Sequence, residues 1–187
     1  MKNKFNYFFL VIVLLAITAC GKRLNEATVP VHIKTSNIYY TQVSLQYEKS
    51  RHLTTNYRKG VLLPINTQIQ LDKITGDDIF VEILPDHRKL RIENVEKHTG
   101  DTTVQAFDKL FGKNRVDLSR FSESERENIL AGRVAKGMRK KAVLAAIGYP
   151  PITETPTLQA NDWTYWSSRF NRFILHFAHD KVVRIQD

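Results

Sequence analysis

The sequence predicts an α+β protein: a small all-β module, a barrel or a sandwich, followed by a domain of helices and then strands. Three observations predict it. Between residues 38 and 99 the apolar residues fall in short runs rich in β-branched and aromatic side chains, with turn residues roughly every eight to twelve positions. From Gly100 the apolar residues recur at helical spacing. After Pro150 and Pro151 the strand-like pattern returns.

The chain opens with a leader. Lys2 and Lys4 supply a positive start, residues 8–17 are unbroken apolar, and small residues precede Cys20 in Ile17-Thr18-Ala19-Cys20-Gly21. The apolar run falls short of the roughly 20 residues that cross a bilayer. Cys20 is the single cysteine of the chain. Ile17-Thr18-Ala19-Cys20 resembles the lipobox of bacterial lipoprotein precursors in every position. The resemblance implies that residues 1–19 are removed and that Cys20 becomes an acylated N-terminus. Each buried methylene contributes about 0.8 kcal/mol, so one acyl chain holds weakly and two or three hold stably. Gly21 stands where many Gram-negative lipoproteins retained at the inner membrane carry aspartate. For a Gram-negative source the implied address is the outer membrane, lipid-anchored and facing the periplasm.

The charge is consistent with that address. The formal net charge is +9, and loss of residues 1–19, with two lysines and no acid, leaves +7 on the mature part. With its one cysteine lipidated the protein forms no internal disulfide, so stability rests on packed cores. The periplasmic address excludes nucleic acid as the expected partner of the positive charge. Anionic headgroups, phosphates of the envelope or acidic protein surfaces are the natural counter-charges.

Residues 20–37 are expected to form a tether, since the stretch 22–35 is polar, holds one proline and has no sustained apolar period. The module 38–99 then begins with a strand in which Tyr39, Val43, Leu45 and Tyr47 share one side. Further strands are expected at 61–63, 68–74, 79–84 and 89–95, parted by Arg58-Lys59-Gly60, Thr75-Gly76-Asp77 and Pro85-Asp86-His87. Residues 72–92 read as two hairpins side by side.

The second domain, 100–187, starts with a helical lead-in over 103–111. Val104, Phe107, Leu110 and Phe111 form its stripe, Asp101 or Thr102 its N-cap and Gly112 its stop. Ser122 with Glu125 forms a capping box for a second helix, with Ile129, Leu130 and Val134 as the buried face. A third helix runs over 139–147, with Val143, Leu144 and Ile147 inward and Gly148 as C-cap. Strands follow at 162–166, 172–178 and 181–185, the last two joined by a turn at Ala178-His179-Asp180.

Five features in order, namely Gly137-Met138, Val143-Leu144, Gly148-Tyr149-Pro150-Pro151, Trp163-Thr164-Tyr165-Trp166 and the Lys181-Val182 hairpin, resemble the SmpA/OmlA (BamE-like) family of outer-membrane lipoproteins. The resemblance covers residues 129–187, about a third of the chain. It implies helices packed on a three-stranded antiparallel sheet and no catalytic site. It also implies binding to partner proteins of outer-membrane protein assembly and to anionic phospholipid. The chain departs from the family in its added β-rich module, and in Arg139-Lys140-Lys141, which stand where the family usually places a capping threonine or serine.

Those cations lie against the positive end of a helix dipole, an arrangement unfavourable by about 0.3–1 kcal/mol each. An anionic ligand or partner would neutralise them. Arg139, Lys140 and Arg172, with Tyr149 and Trp166 beside them, are therefore the expected binding surface, and Cys20 the lipidation site. Arg169, Phe170, Arg172 and Phe173 read first as arginines snorkelling at a sheet end. No nucleophile motif, zinc spacing or cofactor signature is present, so no catalytic residue, metal or cofactor is expected. The expected function is a non-enzymatic outer-membrane lipoprotein that docks other envelope proteins in cell-envelope or outer-membrane protein assembly. A peptidoglycan- or glycan-binding lipoprotein and an inhibitor-like partner of a periplasmic hydrolase are the alternatives.

Overall fold

The computed structural model describes residues 29–187. The leader, Cys20 and the first part of the tether lie outside the described residues. Alternation builds the first sheet. β1 (Ile38–Thr41) turns Tyr39 inward, β2 is Leu45–Tyr47, β3 Arg51–Leu53 and β4 Val61–Leu63. β5 (Gln68–Ile74), β6 (Asp78–Ile83) and β7 (Arg88–Glu93) form the two antiparallel hairpins expected over 72–92. A register shift between Leu71 and Lys73 lets Leu71 and Ile74, three apart, both face the core.

Two short helices follow. α1 (Glu96–Thr99) ends at Gly100, whose φ of 68° suits glycine. α2 (Thr103–Leu110) starts at Thr102 with a complete Thr102/Gln105 capping box. The chain then extends into β8 (Phe111–Gly112), which pairs with β1. Gly112 is therefore a strand residue rather than the helix stop; pairing of Phe111 with Thr41 ends the helix at Leu110. The resulting curled six-stranded sheet has the order β3-β7-β6-β5-β1-β8, with β3 parallel to β7 and the other pairs antiparallel. β2 and β4 make a separate two-stranded ladder.

α3 (Glu123–Leu130) carries the Ser122/Glu125 capping box, and α4 (Lys140–Ile147) ends at Gly148. β9 (Asp162–Trp166), β10 (Arg172–Ala178) and β11 (Lys181–Gln186) form a three-stranded antiparallel sheet in the order β11-β10-β9. His179 and Asp180 make the last turn with φ of 50° and 65°, so two non-glycine residues hold left-handed backbone. Trp163, Tyr165, Leu175, Phe177 and Val182 face Met138, Val143, Ala146 and Ile147 in a second core. Ile129 joins that core, whereas Leu130 is exposed and Val134 lies beyond the helix end, half-buried.

Three sequence boundaries move. The tether is shorter than 20–37, because Ile33 is buried and Val29 packs against the first core. The strand begun at Ile38 breaks at residues 42–44, where Val43, Ser44 and Leu45 are all buried. Ser44 turns its N–H to Ala145 O at 3.0 Å and its hydroxyl to Ile129 O at 3.3 Å. The first core also does not close at residue 99. Phe107, Leu110 and Phe111 belong to it, with the Phe107 ring edge-on to Tyr39 at 5.0 Å. Among the described residues no helix is long and apolar enough to cross a membrane.

Candidate functional site

The five residues expected to share one binding surface fall into separate places. Arg139 and Lys140 stand at the start of α4; Tyr149 follows its end, about 12 Å of helix away. Trp166 and Arg172 sit together at the far end of the β9–β10 hairpin, with the Arg172 guanidinium 5.3 Å from the Trp166 ring.

Neither cation at the start of α4 is free. The carboxylate that a positive helix end attracts comes from inside the protein, as Glu125. It accepts the Arg139 backbone N–H at 2.9 Å and the Arg139 Nη2–H at 2.6 Å. The charge-assisted bonds of Arg139, working against the cost of burial, hold the Glu125 carboxyl at about 2. Lys140 Nζ donates to Leu158 O, Gln159 O and Ala160 O at 3.2, 3.1 and 2.8 Å, lying over the Trp163 and Phe177 rings. The expected anion-binding pair is thus a structural pair. Arg172 likewise holds Glu154 at 2.8 Å. Trp166 lies tilted against Tyr57 and His98, each 5.8 Å away, and joins the two halves.

The joint between the halves is polar as well as aromatic. Asn56 donates to Ile147 O at 2.7 Å and to Tyr149 O at 2.9 Å. Arg58 donates to Ile147 O at 3.2 Å and to Gly132 O at 3.3 Å, placing one guanidinium against the carbonyl ends of both α4 and α3. Burial lowers the Arg58 pKa to about 10, still above neutrality. His52 is fully buried, donates Nδ1–H to Gln46 O at 2.8 Å and is pushed down to about 4 by burial. Its ring borders a chamber of about 40 Å³ shared with Leu45, Ala106 and Tyr149.

A larger open groove of about 710 Å³ lies outside this joint. Its floor is Gln46, Tyr47 and Leu53; its rim carries Lys49, Arg51, Lys59 and Arg169 against one acid, Glu48. The β2–β3 turn is Lys49-Ser50, with φ of 48° and 57° and reciprocal Glu48–Arg51 backbone bonds of 3.0 and 2.9 Å. Two left-handed residues without glycine are costly, by about 1–2 kcal/mol each. Lys59 pairs with Glu48 at 2.6 Å and Arg51 with Glu93 at 2.8 Å. Lys49 and Arg169 pair with no carboxylate among the described residues. Phe170, beside Arg169, is 86% exposed, and the Arg169 guanidinium lies 5.6 Å from its ring, so the arginine rests on an exposed aromatic face at the hairpin tip. The Gln46 side-chain oxygen is buried beneath the groove without a hydrogen-bond partner, and the Arg88 guanidinium lies 5.7 Å from the Tyr47 ring.

Of these cations only Arg169 stands out in the sequence, through its neighbours Phe170, Arg172 and Phe173; Lys49, Arg51 and Lys59 do not. The available signal was two basic pairs flanking strand ends, Lys49/Arg51 and Arg58/Lys59, although the fold alone shows that one cation of the second pair turns inward. Among the described residues no group of three His, Cys, Asp or Glu could hold a metal ion. Compared with known proteins, the chain matches no family model, no curated protein and no solved structure.

Proposed function

We propose that this chain is a non-enzymatic, lipid-anchored lipoprotein of the outer membrane that faces the periplasm and docks other envelope proteins during cell-envelope or outer-membrane protein assembly. The observation that carries the reading is Ile17-Thr18-Ala19-Cys20 directly behind a basic start and a short apolar run. The C-terminal third, in this reading, is an SmpA/OmlA domain. Support comes from where its five features lie: Gly137-Met138 leads into α4, Gly148-Tyr149-Pro150-Pro151 ends it, and Trp163 and Tyr165 are the buried residues of β9. α3 and α4 share their core with a three-stranded antiparallel sheet, the layering the resemblance implies. Docking suits a surface that carries a large, open cationic groove. Anionic lipid remains a further partner in this reading.

The test is fractionation with cross-linking in a Gram-negative host. The wild-type protein is expected in the outer membrane, cross-linked to other outer-membrane or periplasmic proteins; Cys20→Ala is expected to lose the outer-membrane fraction and remain unprocessed. Wild-type-like fractionation of Cys20→Ala would overturn the anchor. Sedimentation with cell-wall sacculi in place of protein cross-links would favour glycan binding, and an isolated complex with one hydrolase the inhibitor-like alternative.

A further inference from the structure

The groove above Gln46 and Tyr47 is independent of the residues that carry the family resemblance, since all but Arg169 come from the β-rich segment. Its position and its charge belong together. The two cations that lack a carboxylate, Lys49 and Arg169, come from different halves of the protein: one from the β2–β3 turn, the other from the β9–β10 tip. Arg51 and Lys59 reinforce the positive rim, and each is half-exposed even while paired. Tyr57 adds a ring to the lining.

We propose that this groove seats an extended acidic segment of a partner protein. The inference rests on the docking reading above and names the kind of surface the partner presents. Carboxylates of such a segment would meet Lys49 and Arg169. The exposed ring of Phe170, next to Arg169, offers apolar surface beside the cations. Four rim cations drawn from both halves of the protein suit several carboxylates carried on one chain better than a single bare anion. The open shape fits a chain lying along the surface rather than an enclosed small molecule.

The experiment measures binding of a fluorescein-labelled ten-residue peptide of alternating glutamate and serine to the purified full chain. A peptide of glutamine and serine is the control. The acidic peptide is expected to bind, to weaken as NaCl rises from 50 to 300 mM, and to lose at least tenfold in affinity in the double variant Lys49→Glu/Arg169→Glu. An equal charge change elsewhere, Lys113→Glu/Lys136→Glu, is expected to leave most of the affinity in place. Melting temperatures of both variants are expected to match the wild type, since neither Lys49 nor Arg169 holds a carboxylate within the described fold. Equal binding of the two peptides, or equal losses in the two double variants, would overturn the proposal. So would binding to phosphatidylglycerol vesicles that disappears in Lys49→Glu/Arg169→Glu while the peptide does not bind. Failure of the docking reading looks different. In that case the wild type itself cross-links to no envelope protein, whereas failure of the groove alone leaves identical cross-links in the wild type and in Lys49→Glu/Arg169→Glu.

Discussion

Glu125 and Arg139, fourteen residues apart, meet through three side-chain contacts: Arg139 Nη2 to Glu125 Oε2 at 2.6 Å, and Arg139 Nε to Oε1 at 3.0 Å and to Oε2 at 3.2 Å. The same carboxylate accepts the N–H of Ser122 at 3.1 Å, so it closes the capping box of α3 and caps the start of α4 together.

Removing the cation should therefore be costly. Arg139→Gln strands a nearly buried carboxylate; breaking a buried pair costs about 3–5 kcal/mol. Because the Arg139 side chain is partly exposed, a loss of about 2–3 kcal/mol is expected in urea unfolding at pH 7. A loss below 0.5 kcal/mol would show that Glu125 finds another partner. Acid should act on the same pair. The Glu125 pKa lies at about 2 in the fold and near 4.5 in the unfolded chain. Its stabilising effect is complete above pH 4.5 and fades as pH falls toward 2, by about 3 kcal/mol at most. Glu125→Gln should flatten that limb of the stability profile.

His52 titrates in a higher window. It is held at about 4, against 6.5 when unfolded, so the unfolded chain takes up the proton first. Stability is complete above pH 6.5 and falls as pH drops toward 4, by about 3 kcal/mol at most. Urea midpoints at pH 7.5 and 5 should differ in the wild type and converge in His52→Gln, whose side chain is neutral throughout. An undiminished pH dependence in that variant would assign the effect to other groups.

Arg58→Met keeps the stem and removes the guanidinium from the carbonyls of Ile147 and Gly132. A loss of about 2–3 kcal/mol is expected, since charged hydrogen bonds contribute about 1.5–3 kcal/mol; Gly132 O loses its side-chain donor, whereas Ile147 O keeps Asn56. Thermal unfolding followed by calorimetry should show one transition in the wild type. Two transitions in the wild type would mean that the halves unfold independently.

Limited proteolysis should spare residues 95–103, the stretch around the boundary expected between the two domains. Asn94 donates to Asp101 O at 2.7 Å, Ile152 N–H to His98 O at 2.9 Å, and Thr103 to Gly76 O at 2.5 Å. Early tryptic cleavage is expected instead after the exposed Lys113 or Arg115. Early cleavage after Lys97 would show this segment to be loosely held.

What the sequence made legible was local. β5 to β7, β9 to β11 and the Ser122/Glu125 capping box follow from alternation, turn residues and caps within a few positions of one another, whereas for α2 the sequence offered Asp101 or Thr102 as the cap and the structure completes the box with Gln105. β3 escaped because three residues containing Arg51 and His52 show no apolar alternation; the parallel partner β7 makes it a strand. Residues 42–44 looked like part of a strand because their alternation gives no sign of Ala145, a hundred positions on, taking the Ser44 N–H. The partners of the expected site residues were hidden for the same reason. A cationic helix start announces a missing anion, but Glu125 supplies it from the neighbouring helix, and Lys140 turns to three backbone carbonyls. A buried acid at the third position of α3 was the readable hint of a partner cation. The groove of Lys49 and Arg169 joins residues 120 positions apart, beyond any local pattern.

Strand β8 also sets an order of events for the growing chain. A polypeptide emerging N-terminus first has Tyr39, Ile69 and Ile79 in hand long before Phe107 and Phe111 arrive to cover them. Ser44 waits longer still, until α4 has been made. Until then apolar surface and the open flank of β1 stand exposed, the state in which nascent chains aggregate or recruit a holdase. The first core and the Ser44 hydrogen bond are thus complete only once α2, β8 and then α4 have been made.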